Sequence, residues 1–428
     1  MKDSLLEAFF ELPHWEAAIN KGLLKDIDKG VLARLCSPEG RADMCERLEN
    51  GTYVIKPPHT AKIPKDEPGE FRTVYVNEPE DRVLLAIAND LLFEKMQGSV
   101  HPRCMSYLKG IGCGRVVQEA SREVMKHGKG TIGWKADLSK YFDSVPLRFI
   151  DEAFDKVEDR CGKSMLIKAI RDYYHSDTYF DSETKTMEHR FQSLKQGCSV
   201  AAWLADVMLY HIDEKLSKLG WYCRYSDDIL FIGPKWREAG KLLDDELGKM
   251  EMKLNPKKVE AVTQNRWFRF LGFSIRGKDI SLSKPRLKAF QHEIQWRSTK
   301  CKRAWSNPNR EAAFRRCVKN VCRYLYKGDG RHSWATSVLP IVNVRRDLDE
   351  MNKFVMDCLR GIATGKRRTG GLGYDPYGEN GVVVRGRGQN VTANRDKVGR
   401  IDGYCTLACM QNALRTSRSA YQALCAAM

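Results

Sequence analysis

Apolar residues recur at helical spacing between charged positions over residues 1–50, as in Leu5, Leu6, Phe9 and Phe10, and predict a small helical lead-in. Residues 51–80 change character. Pro57, Pro58, Pro64, Pro68 and Pro79 punctuate short β-type runs such as 71–76. A helix is expected over about 80–96, followed by a Gly-rich, basic stretch over 97–115. Residues 131–138 read as a buried strand, then a turn, then a helix from about Pro146. Another helix is expected over about 196–219, and a hairpin of two apolar, β-rich runs over 222–232. A helix over about 236–250 and a last hairpin over about 269–282 complete this part. From Pro285 to about Gly361 the pattern is basic and helical. Beyond Gly365 it becomes Gly- and Arg-rich, with a last helix at about 403–426. No repeat of 20–50 residues is present.

The length of 428 residues suits two to three packed subdomains, and 42% apolar residues supply a substantial core. The formal charge of +17 is unevenly placed. Residues 1–280 carry 44 Lys+Arg against 44 Asp+Glu, whereas residues 281–428 carry 28 against 11, so the whole excess lies in the last third. Such a block is the footprint of a polyanion partner, or merely a solvated tail. The 14 cysteines include no CxxC pair and read as reduced packing residues rather than a zinc site. The N-terminus is acidic with no long apolar run, and no stretch approaches a membrane span, so a cytoplasmic protein with no membrane partner is expected.

The sharpest chemical signal is Tyr225-Ser226-Asp227-Asp228 inside the apolar hairpin. Asp-Asp in a hairpin is most simply a turn. Adjacent carboxylates at a strand tip are costly, however, unless solvent or cations neutralise them. Asp137, which follows the apolar run 132–134, supplies a third acid at the end of a second strand. Two divalent ions about 3.5–4 Å apart on such a set would activate a primer 3′-hydroxyl and hold the leaving pyrophosphate. Magnesium suits the hard oxygen donors, with manganese as a substitute.

In this order the motifs resemble the fingers–palm core of reverse transcriptases, over about residues 55–282. Ile63-Pro64-Lys65 with Gly69 and Arg72 resembles the fingers motif, which implies that Lys65 and Arg72 grip the triphosphate. Asp81-Arg82 resembles the pair that opens the next fingers helix. Residues 137–142 resemble the first palm motif. That implies Asp137 and Leu138 among the metal-holding positions with Asp227 and Asp228, and Phe142 as the gate against a ribose 2′-hydroxyl, unless it is plain core. Gln196-Gly197 resembles the QG motif that lies against template and nucleotide. Tyr225–Asp228 resembles the YxDD box, and 254–258 the next palm motif, whose Lys258 would protonate pyrophosphate. Leu271-Gly272-Phe273 resembles the primer grip. Arg115 would touch template phosphate or close a turn.

The resemblance implies an α+β, right-hand polymerase fold. Its expected parts are a helical lead-in (1–50), fingers (51–130), an antiparallel palm (131–282), a helical thumb (283–362) and a basic extension (363–428). In the thumb, Arg297, Lys300, Arg303, Arg315 and Arg316 are candidates for contact with the phosphates of an RNA–DNA template–primer duplex. Tyr225 is placed with them as a nucleic-acid contact. The implied activity is RNA-directed DNA polymerisation from dNTPs. Group II intron and retron enzymes have Ser-Pro after the QG motif, where Ala201-Ala202 stand here, and the retron Val-Thr-Gly is missing, with Val391-Thr392-Ala393 nearest. By elimination the chain resembles the bacterial defence-associated reverse transcriptases, with class two as the candidate subclass. That kinship implies an antiphage role and a cognate structured non-coding RNA as template. An intron-type maturase and an RNA-binding scaffold on a polymerase fold are the competing readings.

Overall fold

The sheet that carries the acidic hairpin is assembled from distant parts of the chain. Its order is Trp221–Tyr225, Asp228–Ile232, Thr131–Asp137, Glu260–Thr263, and its first three strands pair antiparallel. The coordinates are a computed structural model, which describes residues 3–19, 24–64, 70–108, 110–302, 310–327, 333–364 and 404–416. Residues 1–111 with 130–262 form one compact unit, and residues 112–129 with 263–428 a second.

In the first unit, one face of the sheet is covered by helices. Trp134 stacks on Phe231 with ring centroids 5.7 Å apart, and its indole N–H donates to the carbonyl of Trp236 at the head of the helix Trp236–Lys249. The helix Pro79–Lys95 is apolar on nearly all sides, from Val83 to Leu92, and is accordingly buried. Pro79 and the acids Glu80 and Asp81 open it, as the unpaired N–H groups of a first turn favour. The helices Ser4–Phe9, Leu12–Ile19 and Lys29–Leu35 pack against it, so the lead-in is part of this core. Asp81 is buried. It accepts from the Tyr53 hydroxyl (2.8 Å) and the Lys56 N–H (3.1 Å), while burial raises its carboxyl to about 6. Arg82 forks onto Asp26. A second sheet, in the order Phe71–Val76, His59–Pro64, Thr178–Asp181, Thr186–His189, belongs to the same unit.

The second unit pairs Phe268–Phe270, Phe273–Arg276 and Asp279–Leu282 as a three-stranded antiparallel sheet, where the sequence predicts a single hairpin. The extra reversal is a tight turn at Leu271 (φ +50°) and Gly272 (φ +76°), both left-handed as such two-residue turns require. The helix Cys113–Val124 packs on this sheet, with Ser121 donating to the carbonyl of Gly277 at 2.8 Å. The helices Lys284–Lys302, Arg310–Cys322, Arg345–Thr364 and Leu407–Thr416 complete the unit; the last occupies part of the helix expected over 403–426.

The helix expected over 196–219 is instead two, Ala201–Val207 and Tyr210–Ser217, and Gln196 precedes both. Lys195 (φ +48°) and Gly197 (φ +112°) are left-handed, so no helix runs through them. The break at 208–209 also has a cause. The carbonyls of Ala205 and Asp206, which an unbroken helix would offer four residues on, accept from the side chains of Tyr141 and Arg224.

Candidate active site

Asp137 ends its strand directly opposite Asp228, the first residue of the neighbouring strand, and the two carboxylates share one face of the sheet. Asp227 lies in the turn beside them, its carbonyl accepting from the Leu138 N–H at 3.0 Å. Like charges directly opposite on a sheet repel. The structure shows two consequences. Burial, followed by the charges of Asp228 and Asp137, pushes the Asp227 carboxyl up to about 6. Two lysines also offset the charge: Lys258 Nζ lies 2.7 Å from Asp137, and Lys135 Nζ lies 3.1 Å from Asp228.

Lys258 reaches Asp137 because the chain after Leu254 is laced to the end of that strand. Ser139 N–H bonds the Lys253 carbonyl (2.8 Å), Asn255 N–H bonds the Asp137 carbonyl (2.8 Å), and Asn255 caps the short Pro256–Lys258 turn. Among the described residues, no three acidic, histidine or cysteine side chains stand together as an ion-holding group. The donor chemistry nonetheless fits a hard divalent cation: Asp137, Asp227 and Asp228 offer only carboxylate oxygens, on a crowded and half-neutralised patch. Ion binding would exchange lysine contacts for metal contacts.

Other candidates gather around this end of the first unit. Phe142 is half-buried, its ring edge-on to Tyr141 at 5.7 Å, and its carbonyl accepts from Leu194 N–H. The Gln196 carbonyl accepts from Tyr75 N–H at 2.7 Å, which ties the QG turn to the Phe71–Val76 strand. A Cβ on Gly197 would lie 2.7 Å from the Tyr75 carbonyl oxygen, so only glycine fits. Arg72 is exposed on that strand, opposite Ile63, and its charge acts on Tyr107 and Asp143. Tyr225 closes its strand opposite Asp228, and Leu138 is buried. Lys65 and Arg303 lie outside the described residues.

Leu271, Gly272, Arg115, Arg297, Lys300, Arg315 and Arg316 belong to the second unit. Arg115 is not in a Gly-rich turn but in the first turn of the helix Cys113–Val124, bonded to Glu119 at 3.0 Å. Arg297 bonds Glu293 (2.6 Å) and Asn320 (3.0 Å) and lies over the Tyr324 ring. Lys300 Nζ sits 3.6 Å from the centre of the exposed Trp296 ring, and Arg315 and Arg316 are exposed.

Sequence reading missed Lys135, Arg224, Asp206, Asp213 and Ser106. The signal available was a basic residue inside an otherwise apolar strand, as Lys135 is in 132–136 and Arg224 in 221–225.

Residues 63–275 match the family described as reverse transcriptase (RNA-dependent DNA polymerase). No protein of curated function matches the chain. Among solved structures, a telomerase from Candida albicans in complex with a fragment of telomeric RNA is similar at 11% identity and a TM-score of 0.39, covering 73% of this chain and 60% of its own. An apo telomerase from Candida tropicalis is similar at 13% identity and a TM-score of 0.43, covering 72% of this chain and 63% of its own. The chain thus spans less than two thirds of either telomerase chain. No described helix is long and apolar enough to cross a membrane.

Proposed function

Through residues 63–275 the chain belongs to the reverse transcriptase family, α+β right-hand polymerases that are RNA-directed nucleotidyltransferases, and on that premise we propose that it copies an RNA template into DNA at Asp137, Asp227 and Asp228. The observation that carries this is the pairing of Asp137 and Asp228 in register at one end of the sheet, with Asp227 in the adjoining turn. Domains of this family generally depend on divalent metal, and we propose two magnesium ions, replaceable by manganese. When bound, they supply the charge that activates the primer hydroxyl and offsets the leaving pyrophosphate.

The chain's own groups do the rest. Asp137, Asp227 and Asp228 offer the oxygens. Lys258, which pairs with Asp137, would on release give a proton to pyrophosphate. Phe142 crowds the 2′-position of the incoming nucleotide, and Gln196-Gly197, tied to the Phe71–Val76 strand, would lie against template and nucleotide. Arg72 and Lys65 meet the triphosphate. The basic last third suits the phosphates of the template–primer duplex. The departures at Ala201-Ala202 favour a bacterial, cytoplasmic defence role with a dedicated structured RNA as template.

Primer extension on RNA with dNTPs or NTPs tests the chemistry, with Asp227→Ala/Asp228→Ala as control and co-purifying RNA sequenced in parallel. Metal-dependent DNA synthesis lost in the control is expected. No synthesis even on the enriched RNA would sink the polymerase reading in favour of the scaffold.

A further inference from the structure

Ser226 separates Tyr225 from Asp227 and has φ +57°, a left-handed conformation that a residue with a Cβ keeps only when its surroundings hold it there. Both of its backbone groups are held. Its N–H donates to Ser106 Oγ at 3.0 Å, and its carbonyl accepts from Arg224 Nη1 at 3.3 Å. Ser106 Oγ in turn donates to Asp206 Oδ1. Arg224 is fully buried and forks onto Asp213, with Nε to Oδ1 and Nη2 to Oδ2 both at 2.7 Å. Its remaining reach ends on the carbonyls of Ala205 (3.1 Å) and Asp206 (2.8 Å), and the Tyr222 hydroxyl adds a bond to Asp213 Oδ1 (2.7 Å). Residue 106 is aligned by the same strand, since Arg224 N–H bonds the Arg103 carbonyl and Met105 N–H bonds the Arg224 carbonyl, each at 2.9 Å.

We infer that Ser106 and Arg224 are positioning residues, which clamp the Ser226 turn from both backbone sides and so set where Asp227 and Asp228 present their carboxylates. A buried guanidinium is a poor stabiliser compared with an apolar side chain of similar volume. What it supplies here is geometry: a planar fork braced on Asp213, whose edge reaches the turn. Among the described residues, Ser106 supplies the acceptor for the Ser226 amide. Neither side chain touches the reacting groups; each acts through the turn, as outer partners of a metal site do. The inference rests on the proposed role of the two acids.

The test uses the full chain and Mn2+ as probe, read by electron paramagnetic resonance on protein without nucleic acid, alongside single-nucleotide addition. Ser106→Ala should weaken Mn2+ binding about tenfold. It should lower kcat about 10- to 100-fold, with KM for dNTP little changed, and speed exchange of the Ser226 amide. Glycine takes φ +57° without a Cβ penalty, so Ser106→Ala/Ser226→Gly should recover most of both losses. Arg224→Lys keeps the charge beside Asp213 without the fork and should move the same readouts the same way. Ser106→Ala with wild-type Mn2+ affinity and kcat would overturn the inference. Wild-type protein that binds no Mn2+ and adds no nucleotide would instead remove the functional reading beneath it.

Discussion

Asp137 and Asp228 are costly neighbours in a sheet, and each is paired with a lysine that offsets part of its charge. Lys258 neutralises Asp137 in an ion pair, and on the proposed reading it would also serve pyrophosphate during turnover. Lys258→Ala should slow nucleotide addition about 100-fold at saturating dNTP, as read by rapid-quench kinetics. Lys258→Arg should retain the ion pair and lose most of the proton transfer. The backbone bond from Leu194 N–H to the Phe142 carbonyl does not depend on the ring, so it still holds the segment beside Asp137 when the ring and its contact with Tyr141 are removed. Phe142→Ala should raise rNTP use relative to dNTP use about tenfold or more, measured as a ratio of kcat/KM. An unchanged ratio would assign the ring to the core alone.

At the scale of elements, one backbone contact ties the QG turn to the Phe71–Val76 strand. Gly197→Ala forces a Cβ against the Tyr75 carbonyl at a left-handed φ. It should cost about 1–3 kcal/mol in denaturant unfolding and reduce nucleotide affinity more than affinity for template. The helix Trp236–Lys249 is tied to Tyr210–Ser217 by Glu246, which meets Lys249 (2.6 Å), Lys215 (2.8 Å) and His211 (3.5 Å). Hydrogen bonds from Lys215 and Lys249 hold its carboxyl down at about 2, against an ordinary 4.5. A lowered carboxyl stabilises the fold fully above about pH 4.5 and loses that contribution as pH falls toward about 2. Glu246→Gln should therefore cost about 1 kcal/mol at pH 7. The gap in urea midpoint should narrow below about pH 4.5 and close only toward about pH 2, and a gap independent of pH would contradict the ion-pair account.

For the whole molecule, charge is the dominant fact: residues 1–280 are neutral and the last third carries the entire +17. Binding to a template–primer duplex should weaken steeply with salt through release of counterions. Replacing Lys300, Arg315 and Arg316 with alanine should flatten the slope of log K against log salt by about 2–3, read by fluorescence anisotropy over 50–200 mM KCl. An unchanged slope would place the nucleic acid elsewhere.

The motifs, their order and the apolar runs around them were legible in the sequence because each is local. A YSDD between two β-rich runs, or Pro79 before an apolar helix, has its meaning within a dozen residues. The pairing of Asp137 with Asp228, 91 positions apart in number, was only an expectation until the strands were set in register. Ser106, Asp206 and Asp213 were illegible, because a serine or an aspartate on a helix or loop looks the same whether it faces water or a partner far off in sequence, as Ser106 faces the Ser226 turn 120 residues on. The break at 208–209 was hidden for the same reason: local propensity favours a continuous helix, and only side chains arriving from another strand and helix take its carbonyls. Sequence determined which chemical groups are present and in what order. Tertiary structure alone decided which buried charges meet, because that depends on long-range packing, to which the desolvation of each charge is tied.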